Sequence, residues 1–219
     1  MKSPRGFIAI IAALAVLLAS IAVLQNKLTS LSLSARVPKS MAYLPASDKI
    51  GPFFLGFKTA FADFLWIKTT LYFGGHLLSD KQFPWLIGMV DMVTRLNPHF
   101  YPAYEFAGLM VPDVCKNPQA AEIILQRGIS SDVNKKWKLY FYLGMLYYKN
   151  FGDCRRAAIA IATAAQLPEA PVAKLLGVAT AMMSKTQGEK DSRAFEYLMY
   201  STSENPEVRR YLQGKLTRP

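Results

Sequence analysis

From Phe53 to the C-terminus the chain alternates apolar segments of helical period with short breaks rich in Gly, Pro, Asn and Asp, and one spacing recurs through it. Gly108 follows Ala107, Gly144 follows Leu143 and Gly177 follows Leu176, so the glycines stand 36 and then 33 residues apart. In the segments that come next, Ala121, Leu125 and Gly128 match Ala157, Ile161 and Ala164, and match again Ala194, Leu198 and Ser201. Small residues at such points let two helices of a pair approach closely, while the large residue fills the space between successive pairs. A chain that repeats this pattern is restricted to stacking one helical hairpin on the next, because a single hairpin cannot bury its own apolar faces.

The coarse reading follows from that restriction. "FFLGFKTAFADFLWIKTTLYFGGH" predicts a long helix ended by Gly74 and Gly75, and "FPWLIGMVDMVTRLNP" a second one stopped at Pro98. The segments from "YPAYEFAGLMV" to "DSRAFEYLMYST" continue the alternation, with loops of a few residues that force antiparallel neighbours. Strand signals are nearly absent. The expectation is an all-α domain over residues 52–219, with about four hairpins and a terminal helix near "PEVRRYLQGK". Pro98, Pro168 and Pro206 mark junctions where one hairpin closes and the next begins. Two irregularities stand out: Val111 and Pro112 interrupt one first helix, and "SKTQGEKD" enlarges the last turn.

"LGMLYYKNFGDCRRAAIAIATAAQLP" carries Leu-Gly and Tyr on a first helix, then Ala, an aliphatic residue, Ala and Pro on a second; "LNPHFYPAYEFAG" has the look of a junction. In this the chain resembles the tetratricopeptide repeat family, over roughly Pro52 to Pro206. The resemblance implies an α-solenoid of about four hairpins, with a concave groove lined by first-helix residues along which peptides lie. It places groove positions at Lys138, Phe141, Met145 and Tyr148, and in the next repeat at Lys174 and Val178. Members that clamp a C-terminal carboxylate need paired Lys, Asn or Arg there. Aromatics and Met stand there instead, so an apolar or aromatic protein segment is the expected ligand; packing between neighbouring helices is the other reading of the same rings.

The N-terminus is a separate feature. Lys2 and Arg5 precede a run from Phe7 to Leu24 without a charge. Eighteen residues make about 27 Å of helix, just enough to cross a hydrocarbon core. Residues 1–26 are therefore expected to form a transmembrane anchor, and residues 27–51, rich in Ser and Pro, a linker. A cleaved signal peptide is an alternative, as is a pilin-type leader cut after Gly6, although Ile11 stands where pilins usually carry Glu. With Lys2 and Arg5 retained inside, the C-terminal domain lies outside the cytoplasm.

Lys and Arg number 26 against 15 Asp and Glu, for a formal charge of +11. That balance admits nucleic acid, anionic lipid or an acidic protein face, but no basic run or recognisable motif accompanies it, which argues against nucleic acid. Catalysis finds little support: the histidines are His76 and His99, and no metalloprotease, phosphate-loop or nucleophile-elbow motif is present. Asp63 reads either as a buried general acid or, more simply, as a partner of Lys58 or Lys68 or a cap on a nearby helix. Cys115 and Cys154 are too few for a metal cluster, and their spacing leaves both a bridge and two free thiols open. No cofactor is expected. Together these readings predict a single-pass protein of a bacterial inner membrane, its domain in the periplasm, acting as a scaffold for protein partners in an envelope complex. A pilus or secretion-system component with a pilin-like helix is the alternative.

Overall fold

The computed structural model describes residues 57–217 except Gly188, and leaves out the side chains of 186–191. The expected anchor and linker, residues 1–26 and 27–51, lie outside the described residues. Among the described residues all regular structure is helical: α1 Lys58–Leu78, α2 Leu86–Leu96, α3 Tyr101–Val114, α4 Pro118–Ser130, α5 Lys136–Lys149, α6 Cys154–Ala165, α7 Val172–Gln187, α8 Glu189–Thr202 and α9 Pro206–Leu216. None of these helices is long and apolar enough to cross a membrane.

Local chemistry sets several of the starts. Asn117, Asp153 and Asn205 each accept a backbone hydrogen bond in the first turn that follows, from Ala120, Arg156 and Glu207 at 3.0, 2.8 and 2.9 Å. Each such cap contributes about 1 kcal/mol by satisfying an otherwise orphaned N–H. Proline occupies the first turn of α3, α4 and α9, where its missing donor costs nothing.

Consecutive helices pack on one another along the whole series, and next-but-one packing joins α2 to α4, α3 to α5 and α7 to α9. Burial repeats with the same step. In α2 Leu86, Met89, Val90 and Val93 are buried; α4 answers with Ala121, Ile124, Leu125 and Gly128, and α6 with Ala157, Ala160, Ile161 and Ala164. Hydrogen bonds between neighbouring hairpins span nearly one repeat as well: Arg127 to Thr94 across 33 residues, Tyr142 to Glu105 across 37, and Lys215 to Thr180 across 35. Arg127 and Tyr142 thus fasten the second and third hairpins to the ones before them, and Lys215 fastens α9 to α7.

The glycines explain the closeness of these contacts. A Cβ on Gly144 would lie 2.5 Å from Ile161 Cγ1 and 3.1 Å from the Ala157 carbonyl oxygen; one on Gly108 would meet Leu125 at 3.2 Å and Tyr142 at 3.0 Å. The pairing of small against large residues expected from the spacing therefore holds for the α3–α4 and α5–α6 hairpins. In the last hairpin it does not. Ala179 and Thr180 are buried where the step of 36 from Leu143 and Gly144 falls, whereas a Cβ on Gly177 would meet no more than the Tyr211 hydroxyl at 3.8 Å. Ala194, Leu198 and Ser201 are exposed, and Ser192, Glu196 and Met199 hold the inward positions. Glu196 takes the place of Leu125 and Ile161 because α9 brings Lys215 against it, and Lys215 also donates to Thr180 Oγ1 at 3.1 Å. A buried carboxylate satisfied by a lysine from a later helix could not be recognised by looking for a large apolar residue.

Other boundaries differ for equally local reasons. Helix α1 runs through Gly74 and Gly75 to Leu78, held by Tyr72 and Phe73, whose rings pack against His76, Phe83 and Phe106. Two mid-helix glycines cost about 1 kcal/mol each, less than such packing returns. Pro112 lies inside α3, in its final turn, where both it and Val111 are buried. The "SKTQGEKD" stretch is mostly helix, since α7 extends to Gln187 and α8 begins at Glu189.

Candidate protein-binding face

The proposed groove positions can now be placed. Phe141 and Met145 on α5 face Leu109, Pro112 and Asp113 on α3 across a cleft of about 260 Å³. Both are half-buried, and Leu109 is 46% exposed, so the cleft offers an apolar wall that solvent reaches. The face exists because the step of 36 residues sets α5 beside α3, and because a helix repeats its face at three- and four-residue intervals.

Polar groups bound the cleft at both ends. At the C-terminal end of the two helices Lys149 reaches Asp113 at 2.6 Å, an exposed pair that adds little stability but fixes charge at the rim. Toward the N-terminal end Glu105 accepts hydrogen bonds from Tyr101 at 2.8 Å and from Tyr142 at 2.6 Å. Burial opposes the charge of Glu105, but the Tyr142 and Tyr101 hydroxyls, with the Lys138 and Lys135 ammonium groups, outweigh it and hold the carboxyl below its ordinary value. Burial, followed by the Glu105 hydrogen bond, pushes the Tyr142 phenol up to about 12 and moves Tyr101 further in the same direction. Spacing alone did not disclose this three-residue network: Tyr101 and Glu105 are four apart, but Tyr142 arrives 37 residues later.

The remaining positions lie elsewhere on the first helices. Tyr148 is engaged by Lys185 of α7, whose ammonium donates to the hydroxyl at 3.3 Å and sits 5.5 Å from the ring centroid. Lys138 stands beside the Glu105 network rather than in the cleft. Lys174 lines a different recess with Pro171, Glu207, Arg210 and Tyr211, between the start of α7 and α9. Val178 is 38% exposed on α7. The structure thus brings Phe141 and Met145 together, sets Lys138 and Tyr148 beside them on α5, and leaves Lys174 and Val178 on a separate helix.

No metal-binding group of three or more His, Cys, Asp or Glu side chains occurs among the described residues. Asp63 is exposed and makes no ion pair among the described residues, which rules out its reading as a buried acid and its pairing with Lys58 or Lys68. Cys115 and Cys154 are both free thiols, and burial pushes the Cys115 thiol up. No family model, curated protein or solved structure matches the chain.

The tyrosine–carboxylate network yields a titration prediction. A phenol whose folded value is raised keeps its proton while unfolded phenols lose theirs, so stability falls as pH rises above about 10. In Glu105→Gln the charge that disfavours phenolate is gone. Spectrophotometric titration should then show Tyr142 ionising at lower pH than in the parent protein. An unchanged late-titrating fraction would mean that burial alone sets it.

Proposed function

We propose that this chain is a membrane-anchored scaffold of tetratricopeptide-like hairpins that holds an apolar or aromatic segment of a partner protein against the α3–α5 face. The observation that carries the reading is the apolar, solvent-reached cleft at Phe141 and Met145, presented by two first helices related by the repeat step and bounded by charge at both ends. Such a face has a hydrophobic centre with a polar rim, the arrangement that protein interfaces share. Met suits it, since a flexible thioether accommodates varied side chains. The reading is non-catalytic.

The anchor part rests on the uncharged run from Phe7 to Leu24 behind Lys2 and Arg5. It puts the protein in a bacterial inner membrane with the helical domain in the periplasm, among the components of an envelope complex. A reporter fused after Pro219 is expected to be active on the periplasmic side; activity confined to the cytoplasm would overturn that orientation. The partner is sought by capture of the full chain in mild detergent followed by mass spectrometry, with Phe141 and Met145 altered in parallel.

A further inference from the structure

Helix α1 has two apolar faces, and the described protein covers one of them. Leu65, Trp66 and Phe73 turn inward, the two rings packing edge-on against Phe106. On the other side Phe57, Phe64, Leu71 and Leu78 recur every seven residues and are 73, 53, 66 and 90% exposed, with Ile67 set between them at 55%. A helix that is apolar all round is ordinarily enclosed. In α1 the uncovered row is narrow and keeps a seven-residue period, the mark of a two-helix seam rather than of a broad lipid-facing surface.

Charge selects the occupant. Asp63 and Lys68 border the row on opposite sides, five residues apart. Within one helix that separation turns the two side chains away from each other, and Asp63 makes no ion pair among the described residues. Between two parallel helices the residue just before a seam position faces the residue five further along in the partner, so Asp63 of each copy meets Lys68 of the other. We propose that α1 pairs in parallel with α1 of a second copy of this chain, burying the Phe57–Leu78 row between them. The seam is about 32 Å long, too short to hold an isolated pair of helices firmly, but the inward face already fixes α1 as a helix and removes that cost.

The test uses the full chain in nonionic detergent, with the protein mass per particle measured by sedimentation. The parent protein should contain two chains per particle, and Leu71→Glu, at an exposed position, one chain with an unchanged melting temperature. Asp63→Lys and Lys68→Asp should each weaken self-association about tenfold, since each places like charges across the seam. Mixed together, these two variants should recover the parent's affinity, because one supplies two positive and the other two negative border residues. A single chain per particle in the parent, two chains in Leu71→Glu, or a mixture no tighter than either variant alone would overturn the pairing. One chain per particle in the parent and in Leu71→Glu alike would assign the row to lipid instead.

Discussion

Replacing Tyr104 with alanine is expected to lower stability by about 3–5 kcal/mol, at the top of the range for a single core truncation. Tyr104 is fully buried in the first turn of α3. Its hydroxyl donates to the Pro98 carbonyl at 3.1 Å and lies 3.3 Å from that of Thr94, tying the first hairpin to the second. Its ring also fills the space that Gly128 leaves open, where a Cβ would come within 2.7 Å of it. Tyr104→Ala therefore opens a cavity between two hairpins and strands carbonyls at once. For a domain of this size the melting temperature should drop by roughly 10 °C. Tyr104→Phe, which keeps the ring, should cost only about 1 kcal/mol. Equal losses for the two variants would show that the hydroxyl, not the packing, joins the hairpins.

The second large effect belongs to Gly144→Val. A Cβ there meets a side-chain carbon at 2.5 Å and a backbone oxygen at 3.1 Å on α6, so the helix itself must retreat. Overpacking of this kind costs about 1–3 kcal/mol or more, against about 1 kcal/mol regained by removing a mid-helix glycine. The net change should be a clear fall in melting temperature. Gly75→Ala is the natural comparison, since a Cβ there meets nothing within 4 Å and should stabilise α1 slightly. Ala157→Leu, at a buried position of the same contact, should behave like Gly144→Val. Tolerance at both positions would contradict the close α5–α6 approach.

How much of this is legible in the sequence varies along the chain. Helical period, loop length and the two central small–large matches predict the element order, because Gly144 against Ile161 and Gly108 against Leu125 are sequence-local signatures of helix approach. The last hairpin escapes the pattern because its inward large residue is Glu196. What makes a glutamate acceptable there is Lys215 on α9, a contact no spacing rule describes. Gly74 and Gly75 read as a stop because intrinsic propensity favours one, whereas the aromatic contacts of Tyr72 and Phe73 carry the helix past them. On the candidate face, four- and three-residue spacing correctly puts Phe141, Met145 and Tyr148 on one helix. It does not show that Lys185 occupies Tyr148, or that Glu105 gathers two tyrosines from different hairpins. Val178 lies a step of 33 from Met145; the step of 36 that governs burial points to Ala181.

The α3–α5 face is tested most directly by the doubly altered protein Phe141→Ser, Met145→Ser. Capture from detergent-solubilised membranes and thermal melting are measured on the same preparation, beside Ile159→Ser, which alters an exposed residue of α6 away from the cleft. A binding role for this face predicts that the double variant melts within a few degrees of the parent, because both side chains are only half-buried, and that it no longer captures the proteins that the parent and Ile159→Ser retain. A stable double variant that captures the same proteins would contradict that role, and a melting temperature lowered by roughly 10 °C would show that these side chains are core rather than interface.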